Sequence, residues 1–202
     1  MSNEKKYGLI VISAPSGAGK STLCTRLLGD IPEKLALSIS TTTRAPRGTE
    51  RHAKEYFFTE RNDFELKIKE DSFAEWAAVH QNYYGTLKST LEKFWSEKKH
   101  VLLDIDVQGA ESLRKLYPDR CFSVFISPPD MKELERRLRG RGTETEAAIQ
   151  ERMKHAHTEM KSKDDFHFVL VNDTFETAYQ KLKASVLEGM SLIEEGKWPK
   201  RP

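Results

Sequence analysis

Five short apolar runs punctuate the chain, at Leu9 to Ile12, Leu35 to Ile39, Val101 to Ile105, Phe122 to Ile126 and Phe168 to Val171. Runs of large aliphatic, β-branched and aromatic side chains with little polar alternation suit strands covered on both faces. Most of the segments between them show helical spacing instead. Leu23, Leu27 and Leu28 share one face, Met131, Leu134 and Leu138 another, and Phe175, Tyr179, Leu182, Val186 and Met190 a third. This alternation predicts an α/β fold with a parallel sheet flanked by helices. End signals agree: Asp130 stands before the second of these helices and Gly140 after it, and the last helix begins near Asp173. Thr143-x-x-Glu146 has the form of a capping box, opening a long polar helix that contains Arg152.

Residues 40 to 86 break the rhythm with polar turns, the cluster Tyr56-Phe57-Phe58 and the pair Tyr83-Tyr84 before Gly85, which predicts a small inserted lobe. A chain of 202 residues fits one domain with such an insertion. Its 33 basic and 31 acidic side chains leave a net charge of +2, so bulk charge gives no reason to expect nucleic acid or an anionic membrane as partner. Cys24 and Cys121 have neither metal spacing nor a disulfide framework and read as buried, reduced thiols. With no signal-peptide pattern and no apolar run near bilayer length, a soluble cytoplasmic protein is expected; association into a homo-oligomer stays open. His80, His155 and His157 lack metal spacing and read as surface or packing residues, and the tail from Lys197 to Pro202 as a frayed end.

Candidate chemistry concentrates in three places. Gly8 to Thr22 joins an apolar run to a small-residue loop, Ala14-Pro15-Ser16-Gly17-Ala18-Gly19-Lys20-Ser21-Thr22, and then to a helix. Backbone N–H groups of such a loop converge on phosphate oxygens, Lys20 reaches the β- and γ-phosphates of a nucleotide, and the Ser21 hydroxyl can ligate Mg²⁺. Ala14 stands where the usual pattern opens with Gly. Next, Arg44 and Arg47 flank Pro46 in a stretch too polar for a core, a spacing able to clamp a phosphate, with Tyr56 and Tyr84 as further donors. Last, the strand Val101 to Ile105 delivers Asp104 and then Asp106 at its carboxyl end, where open α/β sheets bind ligands. Asp106 can alternatively cap the helix from Gln108 to Leu116. Arg136, Arg137, Arg139 and Arg141 run from a helix into a glycine-flanked turn, the composition of a mobile, phosphate-neutralising lid, although Arg136 and Arg139 also suit a solvated face.

Taken together these motifs resemble the guanylate kinase family over nearly the whole length. The resemblance rests on Ala14 to Thr22, Ser40 to Arg47 with Glu50, Tyr56-Phe57-Phe58, Asn82 to Thr86, Leu103 to Gly109, Ile126 to Pro129, Arg137 to Gly142 and Val171 to Asp173. It implies a P-loop NTPase-like core (residues 1–39, 87–136 and 166–202), a GMP-binding lobe (40–86) and a lid (about 137–165). The implied activity is transfer of the γ-phosphoryl group of ATP to GMP, and also to dGMP, in purine nucleotide metabolism with Mg²⁺. By the same resemblance Ser40, Glu75, Thr86 and Asp106 face guanine. Arg44, Arg47, Tyr56 and Tyr84 hold the acceptor phosphate, and Glu50 and Asp104 belong to the same GMP-binding set. Residues 14 to 22 and Asn172 bind ATP; Lys20, Arg44, Arg137, Arg141 and Arg152 surround the moving phosphoryl group; Ser21 and, through water, Asp104 hold the metal. Two other readings fit parts of the pattern: a non-catalytic module of the same family that binds proteins, and a kinase of a sugar bisphosphate. Retention of Lys20, Arg137 and Arg141 disfavours the first, and retention of the four guanine-facing residues the second. The family pattern places Gly before the Glu50 position and an Asn/Asp-Gly pair shortly after, whereas Thr49 and His52-Ala53 stand here. The loop from Arg47 to Tyr56 is therefore expected to turn differently, which bears on Glu50 more than on the arginines.

Overall fold

The computed structural model describes residues 6–79, 81–140, 142 and 145–197. Its main sheet has five parallel strands, β1 (Leu9–Ser13), β2 (Leu35–Leu37), β7 (His100–Asp104), β8 (Cys121–Ser127) and β9 (Phe168–Val171), in the order β2-β7-β1-β8-β9. Every residue of β1 and β8 is buried, as the unbroken apolar runs require. Strand alternation then divides β1 between two cores. Ile10 and Ile12 pack with Leu23, Leu27, Leu182 and Val186 from α1 (Lys20–Asp30) and α7 (Phe175–Glu194). Leu9 and Val11 face the other way, toward Leu91 of α3 (Lys88–Ser96) and Leu113 of α4 (Val107–Leu116).

The second sheet interrupts the first between β2 and β7. It comprises β3 (Thr41–Thr42), β4 (Phe57–Phe58), β5 (Phe73–Val79) and β6 (Asn82–Leu87) in the order β4-β3-β6-β5, with α2 (Arg61–Lys69) between β4 and β5. Phe64 of α2 stacks on Phe73 and Tyr83, with ring centroids 4.3 and 5.3 Å away, and so fastens the helix to this sheet. After β8 come α5 (Met131–Arg139) and α6 (Glu146–Lys161), joined by a small apolar cluster of Leu134, Leu138, Ile149 and Met153.

Asp130 caps α5 by accepting from the Glu133 N–H at 2.7 Å, as its position in the sequence predicts. Two boundaries differ from the sequence reading. The cap of α6 is Thr145, whose hydroxyl accepts from the Ala148 N–H; Thr143 lies outside the described residues. Strand β2 ends at Leu37, and the next residues, Ser38 to Ser40, turn into the cleft between the sheets. Gly189 of α7 packs directly on Phe122, where a methyl group would overlap the ring. Gly189→Ala should therefore destabilise the fold by about 1–3 kcal/mol. Thermal melting reads this as a fall of several degrees.

Candidate functional site

The loop between β1 and α1 is shaped by two glycines in the left-handed region, Gly17 at φ 99° and Gly19 at φ 91°. Space adds to conformation: a Cβ on Gly17 would meet Leu138 Cδ2 at 2.9 Å, and one on Gly19 would overlap the Asn172 amide. Asn172 lies under the loop, its Nδ2 donating to the Ala18 carbonyl at 2.7 Å and its backbone N–H to Ser127. Helix α1 has no side-chain cap and no acidic residue in its first turn. Its leading N–H groups and dipole therefore favour an anion at the cleft.

Lys20, the first residue of that helix, forms an ion pair with Asp104 at the carboxyl end of β7 and donates to the Ile105 carbonyl at 3.4 Å. Burial works against the ammonium, but Asp104 outweighs it and holds the Lys20 pKa above the ordinary lysine value. Asp106 caps α4, with Oδ1 accepting from the Gly109 N–H at 2.8 Å. The capping alternative weighed from the sequence is therefore present in the fold, and it leaves Asp106 lining the cleft as well.

The opposite wall comes from the second sheet. Glu75 of β5 is 6% exposed, and burial, reinforced by the charge of Asp106, pushes its carboxyl up to about 7 against the opposing pull of Thr86. Arg44, 8% exposed, pairs with Glu50 at 2.9 Å, and its guanidinium carbon sits 5.3 Å from the centroid of Tyr56, whose ring meets that of Tyr84 edge-on. Glu50 also accepts from the Arg47 backbone N–H at 2.8 Å. That N–H and then Arg44 hold the Glu50 carboxyl below the usual range.

The loop from Arg47 to Tyr56 contains two residues of positive φ. Gly48 takes φ 53°, and Ala53 takes φ 63°, a conformation that favours glycine. Ala53→Gly should accordingly stabilise the protein by about 0.5–1 kcal/mol, the relief of strain exceeding the added chain entropy. Denaturant melts should show the midpoint rising.

One cleft of about 670 Å³ gathers Ala14 to Gly17, Gly19, Lys20, Ser21, Ser40, Tyr56, Glu75, Tyr84, Asp104 and Asp106. Other predicted residues stand back from its lining. Ala18 and Asn172 support the loop from below, and Thr22 follows Ser21 in α1. Thr86 lies opposite Glu75 in the β5–β6 pairing, while Arg47 is exposed on its loop. Arg137 is held to Glu133 at 2.8 Å and to the Asn172 carbonyl at 3.0 Å, and Arg152 donates to Ser16 Oγ at 2.8 Å. Arg141 and His80 lie outside the described residues.

The lining also holds residues that the sequence reading did not assign to the site, Ser38 and Glu159 among them. Ser38, 6% exposed, has a buried Oγ with no hydrogen-bond partner. Glu159 of α6 enters from the far side, its carboxyl pushed up to about 7 chiefly by burial. A periodic signal marks each: Ser38 is two residues before Ser40 in extended chain, and Glu159 is two helical turns after Arg152.

Among the described residues no helix is long and apolar enough to cross a membrane, and both cysteines are buried. A family model described as guanylate kinase matches residues 6–189. A guanylate kinase of Caldanaerobacter subterraneus subsp. tengcongensis is 42% identical over 98% of this chain and 95% of its own length. One from Hydrogenovibrio crunogenus is 46% identical, over 89% and 86%. Among solved structures, a guanylate kinase from Anaplasma phagocytophilum superposes with a TM-score of 0.75 at 30% identity, over 96% of this chain and 92% of that one. The SH3-kinase fragment of tight junction protein 3 reaches 0.50 at 15% identity over 92% and 58%, a likeness of fold.

Proposed function

The chain belongs to the guanylate kinase family and is an ATP-dependent kinase of GMP, and from that premise we propose how its own residues divide the work. The observation that carries the assignment is the continuity of the cleft, which runs from the phosphate loop at Lys20 to the carboxylates Glu75 and Asp106. The donor triphosphate lies on the loop and the first turn of α1. The acceptor lies across the cleft against the second sheet. We assign residues 40–86 as the acceptor lobe, about 137–165 as the lid, and the remainder as the core.

Base choice follows from hydrogen-bond chemistry. Guanine presents N1–H and an exocyclic amine, which suit the acceptor carboxylates of Glu75 and Asp106, while its O6 takes the hydroxyls of Ser40 and Thr86. Adenine offers an acceptor at N1 and would leave a buried carboxylate unpaired. Arg44, steadied by Glu50, and Arg47, with Tyr56 and Tyr84, hold the acceptor phosphate. No general base is needed, because the attacking oxygen belongs to a phosphate whose second pKa is about 6. Lys20, Arg44, Arg137, Arg141 and Arg152 neutralise charge along the transfer path, and closure of the lid excludes water. The donor set fits magnesium, which favours oxygen ligands and retains waters: Ser21 would hold the ion directly and Asp104 through water, and the ion would neutralise the donor phosphates when bound. Reduced thiols and both nucleotides suit a cytoplasmic setting, and dGMP, which differs from GMP only at the ribose 2′ position, is a second acceptor.

A coupled assay with ATP against GMP, dGMP, AMP, UMP and CMP tests the assignment. Turnover should be confined to the two guanine nucleotides; turnover favouring AMP or UMP overturns it. Glu75 adds a pH signature. Because the guanine donors call for its ionised form, GMP binding should tighten as pH rises through about 7 and release a proton there. Calorimetry in buffers of unlike ionisation enthalpy measures that release, and Glu75→Gln should abolish it while keeping the step of the GMP phosphate near 6. For folding the sign is reversed: between 4.5 and about 7 the native carboxyl keeps a proton that the unfolded chain has lost, so this stabilisation is full below 4.5 and disappears as pH climbs through 7.

A further inference from the structure

Helix α6 brings two opposite charges to the phosphate loop. Arg152 donates to Ser16 Oγ at 2.8 Å, and Glu159, seven residues on, reaches the cleft where Lys20 and Asp106 stand. Seven residues are two turns, or about 10 Å, so the pair shares one face of the helix and spans the loop from Ser16 to Lys20. The electrostatic neighbours of the Glu159 carboxyl are Lys20 from α1, Asp106 at the cap of α4, and His155 on its own helix. Lys20 in turn has Asp104 as its ion-pair partner on the core, and the Glu159 carboxyl on α6 acts on the same ammonium.

Resting on the assignment above, we infer that Glu159 is a positioning residue for phosphoryl transfer, acting through Lys20. In the free protein Asp104 is the partner of Lys20. With nucleotide bound, Asp104 is assigned to the hydration shell of the metal, and Lys20 must move to the donor phosphates without folding back into the core. Glu159 then supplies the counter-charge on the opposite side and keeps the ammonium extended along the loop. Through the same attraction α6 is registered against the loop, which places Arg152 at the phosphates. Glu159 touches no reacting atom in this account.

The test is a double-mutant cycle in steady-state kinetics. Glu159→Gln, which keeps shape and removes charge, should lower kcat about tenfold while KM for GMP and ATP stays within about twofold. Glu159→Asp should lose only about threefold, because the charge is kept one methylene short. On a Lys20→Ala background both substitutions should change the residual kcat by less than about twofold. Unchanged kcat in Glu159→Gln overturns the inference. So does an effect confined to KM, or an equal loss in both backgrounds, as a purely structural role would give. Should the Gln variant melt early, the Asp variant carries the same comparison. Failure of the unsubstituted protein to phosphorylate GMP would instead refute the assignment on which the inference rests.

Discussion

Lys20→Ala is expected to lower kcat by about three orders of magnitude while leaving the dissociation constant for GMP within about twofold. The asymmetry follows from where the residue sits. Lys20 opens α1 at the end of the loop and reaches Asp104 and the Ile105 carbonyl, on the side of the cleft assigned to the donor, whereas the contacts assigned to the acceptor come from the second sheet. A permanent charge in a partly enclosed site stabilises the transferring phosphoryl group more than it does either ground-state ligand. Removing it also leaves Asp104 without its ion-pair partner in the free protein, and that carboxylate, 32% exposed in its side chain, can turn to water, so the melting temperature should barely move. Stopped-flow or coupled kinetics together with GMP calorimetry decide the matter. A kcat within tenfold of the starting protein would remove Lys20 from the transfer step.

Asp106 offers a second large effect, and here the fold separates two roles that one residue combines. Asp106→Ala removes both the carboxylate facing the cleft and the cap that receives the Gly109 N–H. The lost hydrogen bond to a charged group costs about 1.5–3 kcal/mol, or about 10- to 150-fold in GMP affinity, and the preference for GMP over AMP should collapse with it. The lost cap should independently take about 1 kcal/mol from stability. Asp106→Asn discriminates between them. Asn is as good a cap as Asp, so the melting temperature should be retained, while an amide in place of the carboxylate still weakens GMP binding. Intact GMP preference in both variants would show that the guanine contacts lie elsewhere.

Legibility from sequence tracked how local the physics is. Strand β1, the loop and α1 could be read directly because a buried parallel strand, two left-handed glycines and a helix start are each written in adjacent residues. The second sheet was visible only as a break in rhythm. Its β3 and β4 are two residues long, and Thr41 and Thr42 become strand by pairing with Gly85 and Tyr84, which no local pattern announces. The same holds for chemistry. Arg137 was identified by composition, but its direction is set by Glu133, one turn earlier, and by a carbonyl 35 residues later in the chain. Asp106 was legible both as a cap and as a cleft carboxylate, and the structure contains both. Glu159 gives no local signal, because an acid on a polar helix looks solvated until the fold places it in the cleft.

Asn172 ties the two ends of the chain's history together. The amide that supports the loop arrives 154 residues after the carbonyl it holds, directly after the last strand of the main sheet. A ribosome making this protein from its amino terminus therefore presents Ala18 and Gly19 long before the side chain that underpins them exists. Until β9 has emerged and docked, the nascent chain lacks the amide that holds the loop, and a nucleotide assigned to that loop can lend its binding energy only once the main sheet is in place.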